Sequence, residues 1–316
     1  MQSVRSGRRP EAAPPPAAAF PIRLIALDID GTLVGDDLVL RDRTRAAVRT
    51  ALERGVSVSL VTGRMSTSAI RFARELGLHA PLVAYQGALI RAIPEPGDER
   101  LGRLLRHRPL AAAVARETID WARSLNLEPH LNHLERFVIA ADDPRADDYS
   151  TFLGARAEVV KDLRTWIRRP VSKVLAVAVD PLPESILADA RARFGGRAEV
   201  TISHPRFLEF LAPGVSKGAA VRWLARRAGV PLGNVLAIGD QFNDLEMIAG
   251  VGHGAAMPGA PEPVRAAGRY LAPPLEDEGA AQLIEALVLA GPRDAANAAV
   301  RLEEDARQAA ELPASA

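Results

Sequence analysis

The sequence predicts an α/β fold that is built on a parallel β-sheet. Three apolar runs have the length and composition of buried strands, and they cover residues 22–27, 56–61 and 235–238. Helical patterns lie between and after them, at residues 42–54, 66–76 and 216–228. Strands that alternate with helices form βαβ units, in which neighbouring strands run parallel. Because ligands bind beyond the carboxyl ends of such strands, the polar residues that follow each strand carry the most information.

Composition places the chain among globular proteins and excludes several classes of partner and site. Of 316 residues, 48% are hydrophobic and 25% are charged, which suits one large or two medium domains. The formal net charge of +1 supplies no overall field that would attract nucleic acid or a membrane surface. No apolar stretch approaches the ~20 residues that span a bilayer. The absence of cysteine excludes disulfides, thiolate zinc sites and cysteine nucleophiles, and it fits a cytoplasmic location.

The middle of the chain departs from the alternation of strands and helices. Its predicted elements are helices near residues 110–125 and 183–194 and strands near residues 137–141 and 172–179. Such a mixture indicates a separate α/β unit that is inserted into the sheet domain. We therefore assign residues 21–85 and 206–290 to the core and residues 86–205 to the inserted unit. Pro and Gly residues at positions 94, 96, 97, 205 and 213 are the only guide to its edges.

The two ends of the chain lack these patterns. Residues 1–20 hold arginines before a run rich in Ala and Pro, and the prolines at 14–16 interrupt the apolar region that a secretory signal needs. We expect a disordered leader there, with a targeting peptide as the alternative. Residues 291–316 are Ala-rich and mixed in charge, and we expect a flexible tail.

Two carboxylates follow the first predicted strand. Asp28 and Asp30 are two positions apart, and the alternation along an extended strand points them to the same side. Close carboxylates repel each other and raise a pKa unless a cation lies between them. Magnesium suits such a site, because it takes oxygen ligands, keeps several waters and uses few carboxylates together with substrate phosphate. The alternative interpretation is a solvated Asp-Gly turn.

Polar residues that suit a phosphate follow the second strand and begin a later helix. Thr62 and Gly63 offer a hydroxyl and a backbone amide that can hold phosphate oxygens, and the alternative is that Thr62 or Ser66 caps the next helix. Lys217 lies at the start of the helix predicted for residues 216–228, where it can neutralise a phosphate and a carboxylate together. The alternative is a surface lysine.

A further acidic segment follows the strand at residues 235–238. Asp240 is placed to be a metal ligand, Asp244 a direct or indirect partner of the metal, and Asn243 a phosphate contact. Taken alone, Asp244 can equally be an acid that complements a helix dipole. Together, the segments place acids, a hydroxyl and an amine at one edge of one sheet, which predicts a site for a metal ion and a phosphate.

These segments resemble the motifs of a known superfamily. DIDGT at residues 28–32, Thr62, Lys217 and GDQFND at residues 239–244 look like the four motifs of the haloacid dehalogenase (HAD) superfamily. The position of the inserted unit resembles that of the large α/β cap (type C2) in the Cof-type IIB branch. The resemblance covers about residues 22–289, and it implies a Rossmann-like parallel sheet core with an inserted cap domain.

The resemblance also implies a role for each motif residue. Asp28 is expected to be the nucleophile that forms an aspartyl-phosphate, and Asp30 the general acid for the leaving group and then the base for water. The phosphate contacts expected from the resemblance are Thr62, Gly63, Lys217 and Asn243. The resemblance implies that Mg²⁺ binds Asp28, the backbone carbonyl of Asp30 and Asp240, with Asp244 beside or behind it.

Two departures from the family pattern bear on substrate choice and loop shape. Gln86 stands where relatives usually carry Asn, and residues 257–260 read MPGA where relatives usually carry a Met-Gly-Asn-Ala run. Both lie near the mouth of the active site in relatives. Lys173 falls in a cap strand where relatives often carry Lys, and a surface residue is the alternative there.

The chain is therefore expected to be a Mg²⁺-dependent phosphomonoester hydrolase that acts on a small phosphorylated metabolite. Family analogy favours sugar phosphates, followed by nucleotide or cofactor phosphates. One alternative is transfer of the phosphoryl group to a second substrate, as in phosphomutases. Another is a non-catalytic protein that binds a phosphorylated metabolite, although the pair of Asp28 and Asp30 argues against it. We expect a monomer or homodimer that binds neither nucleic acid nor membrane.

Overall fold

The computed structural model describes residues 16–95, 97–98, 100–141 and 156–311. Most of the leader predicted for residues 1–20 therefore lies outside the described residues, as does the end of the predicted tail. Among the helices of the described ranges, none is both long enough and apolar enough to cross a membrane.

Strands and helices alternate along much of the described chain. The strands are β1 (Leu24–Leu27), β2 (Ser57–Leu60), β3 (Leu82–Ala84), β4 (Leu89–Arg91), β5 (Leu104–His107), β6 (Glu128–His133), β7 (Arg136–Ala140), β8 (Ala157–Val160), β9 (Lys173–Val177), β10 (Glu199–His204), β11 (Phe207–Leu211), β12 (Val235–Gly239), β13 (His253–Ala256) and β14 (Tyr270–Leu271). The α-helices are α1 (Asp42–Glu53), α2 (Ser66–Glu75), α3 (Ala112–Ser124), α4 (Leu163–Trp166), α5 (Glu184–Phe194), α6 (Lys217–Ala228), α7 (Leu245–Ala249), α8 (Glu262–Ala267), α9 (Gly279–Ile284) and α10 (Pro292–Glu311).

A five-stranded sheet forms the centre of the core, and all of its strand pairs are parallel. The order across the sheet is β14-β13-β12-β1-β2. The predicted parallel α/β core is thus confirmed, with the three predicted strands at its centre. The chain runs outward from β1 in both directions, because β2 lies on one side of it and β12 on the other. Such a reversal opens a crevice at the carboxyl ends of the strands, where ligands bind in α/β proteins.

Both faces of this sheet are covered by helices, which explains why its strands are apolar throughout. In β1, the side chains of Ile25 and Leu27 pack in one apolar cluster with Val48 of α1. Leu24 and Ala26, which alternate with them, pack on the opposite face in a second cluster. A strand that is buried on both faces needs apolar residues at every position, and β1 meets that need.

The structure moves the first boundary of the inserted unit. Strands β3, β4 and β5 form an antiparallel sheet that adjoins the core, because Val61 beyond β2 pairs with Val83 in β3. Ile90 of β4 packs in the same cluster as Leu224 of α6. The stretch from β4 to β5, which the sequence analysis assigned to the inserted unit, therefore packs on the core. The Pro and Gly signals near residue 97 mark the turn between β4 and β5 and not a domain boundary.

The structure also moves the second boundary. The inserted unit, hereafter the cap, is built on a six-stranded sheet with the order β10-β11-β9-β6-β7-β8. The sequence analysis assigned β11 to the core, but β11 pairs with both β9 and β10 inside the cap. Pro205, the signal for that boundary, lies in the tight turn between β10 and β11. The chain returns to the core only after Leu211, near Pro213.

The two faces of the cap sheet differ in what covers them. One face packs against α3 and α5, with Phe210, Ile119 and Phe194 in one cluster. The other face meets the core, where Phe137 and Leu175 of the cap join an apolar cluster with core residues. The core members of that cluster include Met65, Tyr85, Ala88 and Leu89. The cap is therefore seated on the core beside the end of β2.

Both ends of the described chain are packed more closely than the sequence suggested. Helix α10 covers most of the predicted flexible tail, and its Ala295, Ala298 and Ala299 are buried. Alanines at this spacing give a helix a narrow apolar stripe, which hydrophobic periodicity in the sequence reveals only weakly. At the other end, the backbone N of Ala19 donates to the carbonyl of Gly233 at 2.8 Å, so part of the predicted leader contacts the core.

We expect Phe210→Ala to destabilise the cap strongly. Phe210 is fully buried, and its ring centroid lies 5.2 Å from that of Phe194 and 5.5 Å from that of Trp121. Removing such a ring costs about 3–5 kcal/mol, because transfer energy is lost and a cavity remains. Urea denaturation measures the change, with the exposed Val179→Ala as the control. A loss below about 1 kcal/mol for Phe210→Ala would contradict the assignment of β11 to the cap core.

Candidate active site

Three carboxylates meet where β1 and β12 end. Asp28 directly follows β1, Asp240 directly follows β12, and Asp244 ends the 3₁₀ turn that comes next. One carboxylate oxygen from each lies within 4.8 Å of the others. In the described ranges, no other group of three His, Cys, Asp or Glu side chains converges in this way. The carboxyl ends of two adjacent parallel strands thus bring together residues that are more than 200 positions apart in sequence.

The buried ammonium group of Lys217 links two of these carboxylates. Its Nζ lies 2.8 Å from Asp28 Oδ1 and 2.7 Å from Asp244 Oδ1. Lys217 is the first residue of α6, which begins where the Ser216 side chain accepts a hydrogen bond from the Ala219 backbone N. The second oxygen of Asp244 accepts hydrogen bonds from two backbone N–H groups of the loop after β12. Asp244 is therefore fully engaged in holding Lys217 and that loop.

The group formed by Asp28, Asp240, Asp244 and Lys217 holds more acidic than basic side chains. Burial raises the pKa of Asp28 well above its usual value, Lys217 opposes the shift, and the other carboxylates add to it. Burial and the nearby Asp244 raise the pKa of Asp240 to about 7. Burial alone would lower the pKa of Lys217, but Asp244 and Asp28 outweigh it and raise that pKa. Only one ammonium group thus offsets the charge of the three carboxylates, and a divalent cation with oxygen ligands would relieve the remaining repulsion.

Asp30 lies outside the group of three and is held by a residue that the sequence analysis missed. Arg64 donates from Nε to Asp30 Oδ2 at 2.6 Å and from a second nitrogen to Asp30 Oδ1. The Arg64 side chain is nearly buried, whereas that of Asp30 is 48% exposed. Arg64 follows Thr62 and Gly63 directly in sequence, and this proximity was the available signal. Arg64 therefore fixes the direction of the Asp30 carboxylate beside the group of three.

A glycine in the left-handed region of backbone conformation forms the turn that follows Asp30. Gly31 has a φ of 76° and separates Asp30 from Thr32. A Cβ at Gly31 would lie 2.3 Å from Asp240 Oδ2, so no other residue fits without displacing that carboxylate. Thr32 Oγ1 donates to Asp240 Oδ1 at 3.4 Å. The DIDGT segment thus contacts the carboxylate that follows the neighbouring strand.

Thr62 and Gly63 form a tight turn beyond β2. Thr62 Oγ1 accepts a hydrogen bond from the Arg64 backbone N at 3.1 Å. Helix α2 has Met65 at its N-cap position, so the alternative in which Thr62 caps that helix is wrong. A Cβ at Gly63 would lie 2.4 Å from Gln86 Nε2, so any other residue there would displace the Gln86 amide. The turn is therefore shaped by its neighbours and presents its backbone at the edge of the site.

Lys173 reaches this turn from the cap. Its Nζ donates to the carbonyl of Gly63 at 3.1 Å and forms an ion pair with Glu209 at 3.0 Å. The ammonium also lies 5.5 Å from the ring centroid of Tyr85. Lys173 is buried, so the alternative of a surface residue is wrong. It connects a cap strand directly to the turn that holds Thr62.

Asn243 lies in the 3₁₀ turn after β12 and contacts Gln86. Its Nδ2 donates to Gln86 Oε1 at 3.0 Å. Gln86 is buried, follows β3 and lies against Gly63. The structure thus places Asp28, Asp240, Asp244 and Lys217 in one contact group, with Asp30, Thr62, Gly63 and Asn243 in the loops beside it. Residues 257–260 follow β13, and the Met257 backbone N donates to the carbonyl of Gly239 at 2.9 Å.

Comparison with known proteins finds relatives over most of the chain. A sequence model of the haloacid dehalogenase-like hydrolases matches residues 25–284. A 5-amino-6-(5-phospho-D-ribitylamino)uracil phosphatase of Bacillus subtilis is 27% identical over 273 residues, which are 83% of this chain and 96% of the relative. An HMP-PP phosphatase of Cronobacter sakazakii is 30% identical over 241 residues, 74% of this chain and 84% of the relative. A solved haloacid dehalogenase-like hydrolase from Bacteroides thetaiotaomicron has a TM-score of 0.70 at 27% identity, covering 84% of this chain and 99% of that one.

We expect Asp240→Asn to stabilise the protein at pH 8 when EDTA removes divalent cations. The pKa of Asp240 is raised to about 7 in the folded state, above the value of about 3.9 in an unfolded chain. A raised carboxyl pKa lowers the free energy of unfolding as pH rises from about 4 to 7, so the penalty is complete at pH 8 and small at pH 4. Urea denaturation at both pH values measures it.

The exposed Asp37 provides the matched control for this substitution. Hydrogen bonding to the Val39 backbone N lowers the pKa of Asp37, so Asp37→Asn should give no gain in stability at pH 8. Equal stability of wild type and Asp240→Asn at pH 8 in EDTA would contradict the unbalanced charge described here.

Proposed function

We propose that this chain, which belongs to the haloacid dehalogenase-like hydrolase family and to its Cof-type IIB branch, is a Mg²⁺-dependent phosphatase that works through an aspartyl-phosphate on Asp28. That it is a phosphatase of small phosphorylated molecules follows from the family. The single observation that best supports the finer mechanism is the bond from Lys217 Nζ to one oxygen of the buried Asp28. The other oxygen of Asp28 is then available for attack on phosphorus.

Asp28, Asp240 and the backbone carbonyl of Asp30 are the proposed Mg²⁺ ligands. Asp28 and Asp240 offer carboxylate oxygens at the ends of adjacent strands, and few carboxylates together with substrate oxygens suit magnesium. Asp244 is the least available of the acids, because Lys217 and two backbone N–H groups occupy both of its oxygens. We place it behind the metal, where it orients Lys217. The bound ion would neutralise phosphoryl charge and align the ester with Asp28.

The first step transfers the phosphoryl group to Asp28. The carboxylate oxygen attacks phosphorus, an oxygen–phosphorus bond forms on Asp28, and the bond from phosphorus to the leaving oxygen breaks. Lys217 favours the ionised form of the attacking carboxylate and is the proposed contact of a phosphoryl oxygen. We assign the remaining phosphate contacts to Thr62, Gly63 and Asn243, whose loops border the group of three acids. Phosphoryl transfer requires chiefly such positioning and charge neutralisation.

Asp30 is the proposed carrier of the proton. It donates a proton to the leaving oxygen in the first step. In the second step it takes a proton from water as the water oxygen bonds to phosphorus, and the bond from phosphorus to Asp28 breaks to release phosphate. Both of its oxygens accept hydrogen bonds from Arg64, which is the arrangement of the ionised form that serves as base. To carry a proton in the first step, Asp30 must give up one of the two bonds. Arg64 is thus a positioning residue for Asp30.

The cap supports the choice of a small substrate. It is seated on the core through an apolar cluster, and Lys173 connects it to the turn at Gly63. A cap in this place excludes water and limits the size of the leaving group. We keep sugar phosphates as the first substrate class, with nucleotide and cofactor phosphates next. The two relatives are named for a phosphorylated ribitylaminouracil and for HMP-PP, so both compounds belong in the panel. A monomeric or homodimeric state and a cytoplasmic location stay predictions.

We expect the wild type to release phosphate from at least one ester of such a panel only when Mg²⁺ is present. Asp28→Asn removes the nucleophile and should lower kcat by at least about 10⁴-fold, as the loss of other nucleophiles does. Asp37→Asn, at an exposed acid paired with Arg41, is the control and should keep full activity. Activity that survives in Asp28→Asn would mean that another group is the nucleophile. Transfer of the phosphoryl group to a second compound, with no free phosphate, would favour a phosphotransferase.

The role of Asp30 predicts a difference between leaving groups. Asp30→Asn should abolish turnover of alkyl phosphates, because their leaving oxygen needs a proton. With p-nitrophenyl phosphate, whose leaving group needs little protonation, the first step should persist while attack of water is slowed. Stopped-flow measurement should then show a burst of about one equivalent of p-nitrophenol followed by slow turnover. Equal losses for both kinds of ester, with no burst, would contradict this role.

A further inference from the structure

Gln86 and Asn243 form an amide bridge across the carboxyl end of β1. Gln86 lies against Gly63, which follows β2, and it accepts a hydrogen bond from Asn243, which follows β12. Strand β1 lies between β2 and β12, and Asp28 follows it. The bridge therefore crosses the sheet edge at the position of Asp28, although Gln86 belongs to none of the four motifs.

The backbone at Gln86 is held in a conformation that glutamine seldom adopts. Its φ is 58° and its ψ is 19°, in the left-handed region, and the preceding Tyr85 also has a positive φ of 49°. Non-glycine residues are strained in this region, and those that are found there cluster at functional sites. The Gln86 backbone N donates to the carbonyl of Thr62 at 3.0 Å, which ties this strained turn to the turn beyond β2. Gly and Asn adopt this region with less strain, so the occurrence of glutamine here indicates that its side chain has a role.

The bridge leaves one amide donor and one amide acceptor without partners. Gln86 Nε2 and Asn243 Oδ1 are both buried, and neither has a hydrogen-bond partner among the described residues. Rotating both amides by 180° exchanges their roles but again leaves one NH₂ group and one oxygen free. Leaving a buried amide unpaired is destabilising, and a ligand atom that accepts its N–H would recover that stability. The free donor lies beside Gly63, at the edge of the group that contains Asp28.

We infer that Gln86 and Asn243 act as one unit that donates an amide N–H to a non-bridging phosphoryl oxygen of the bound ester. This inference rests on the proposed function and adds to it a residue from outside the motifs. One amide supplies the N–H, and the other orients it through the bond between the two. A phosphoryl oxygen is the expected acceptor, because the bridge joins the loops on either side of the strand that precedes Asp28, and the transferring group must lie near that residue.

The chemistry of the bridge differs from that of Lys217. Lys217 is a charged donor that two carboxylates already engage. The amide donor is neutral, fixed by its partner, and adds no charge to an already crowded site. A preorganised donor aimed at the oxygens that gain charge in the transition state accelerates the reaction by about 10²–10³-fold. The bridge would thus contribute to the rate and to the binding of transition-state analogues.

The test compares Gln86→Met, Asn243→Ala and the double variant with the wild type. Each single variant should lower kcat/KM for p-nitrophenyl phosphate by about 10²-fold and weaken inhibition by orthovanadate by a similar factor. Because the two residues act as one unit, the double variant should lose no more than about threefold beyond the larger single loss. Gln282→Met removes an amide that donates to the carbonyl of Asp277 in another part of the core, and it should change kcat/KM less than about twofold.

The outcomes separate this inference from the proposed function. No phosphate release by the wild type from any ester would overturn the proposed function itself. If the wild type is active, and Gln86→Met is as active and as strongly inhibited by orthovanadate, the inference is overturned and the proposed function is not. Losses in the single variants that multiply in the double variant would show two independent contacts and would also overturn it.

A second substitution at Gln86 distinguishes loss of the amide donor from misfolding. Gln86→Glu has the same shape and keeps an acceptor for Asn243, but it replaces the free NH₂ with an oxygen. Its loss of kcat/KM and of orthovanadate inhibition should be at least as large as that of Gln86→Met. Thermal unfolding shows whether each variant is folded. A loss of activity that follows only a fall in Tm, with inhibition by orthovanadate unchanged, would show a purely structural role and would contradict the inference.

Discussion

The structure of the site depends on one buried ammonium group. Lys217 lies between Asp28 and Asp244 with no exposure to solvent, so these charges are solvated only by one another and by their hydrogen bonds. Removing one member of such a group leaves an unpaired buried charge, which costs several kcal/mol. The three acids also differ in which of their oxygen atoms are already bonded. Asp244 is committed to Lys217 and the backbone, whereas Asp28 and Asp240 keep oxygen atoms for a cation and a substrate.

The topology of the sheet explains why distant segments meet at this lysine. The chain leaves β1 in one direction through β2 and returns on the other side through β12, so the loops after these three strands converge. The described elements from α3 to β11 fold into the cap, whose Lys173 contacts the turn at Gly63. The same turn lies against Gln86, so the cap and the amide bridge contact the phosphate loop from two sides. Substrate choice by the cap and positioning of the phosphoryl group are thereby physically adjacent.

Sequence patterns predicted the core better than its boundaries or its supporting residues. Apolar strands that end in acids are strong local signals, and they gave the parallel sheet and the segments that meet in the site. The misplaced boundaries rested on Pro and Gly, which mark any tight turn, including the hairpin between β10 and β11. Arg64 and Gln86 were hard to assign because their partners, Asp30 and Asn243, are far away in sequence. Pairing of side chains across loops is a tertiary property that one sequence does not display.

The most direct test of the central claim is to trap the phosphoryl group on the enzyme. The protein would be mixed with Mg²⁺ and p-nitrophenyl phosphate, quenched in acid within the first turnover, digested and analysed by mass spectrometry. The account predicts a phosphoryl adduct on Asp28, in the peptide that contains LIALDIDGTLVG, and its accumulation in Asp30→Asn. An adduct on another residue, or complete turnover with no adduct in either protein, would contradict it.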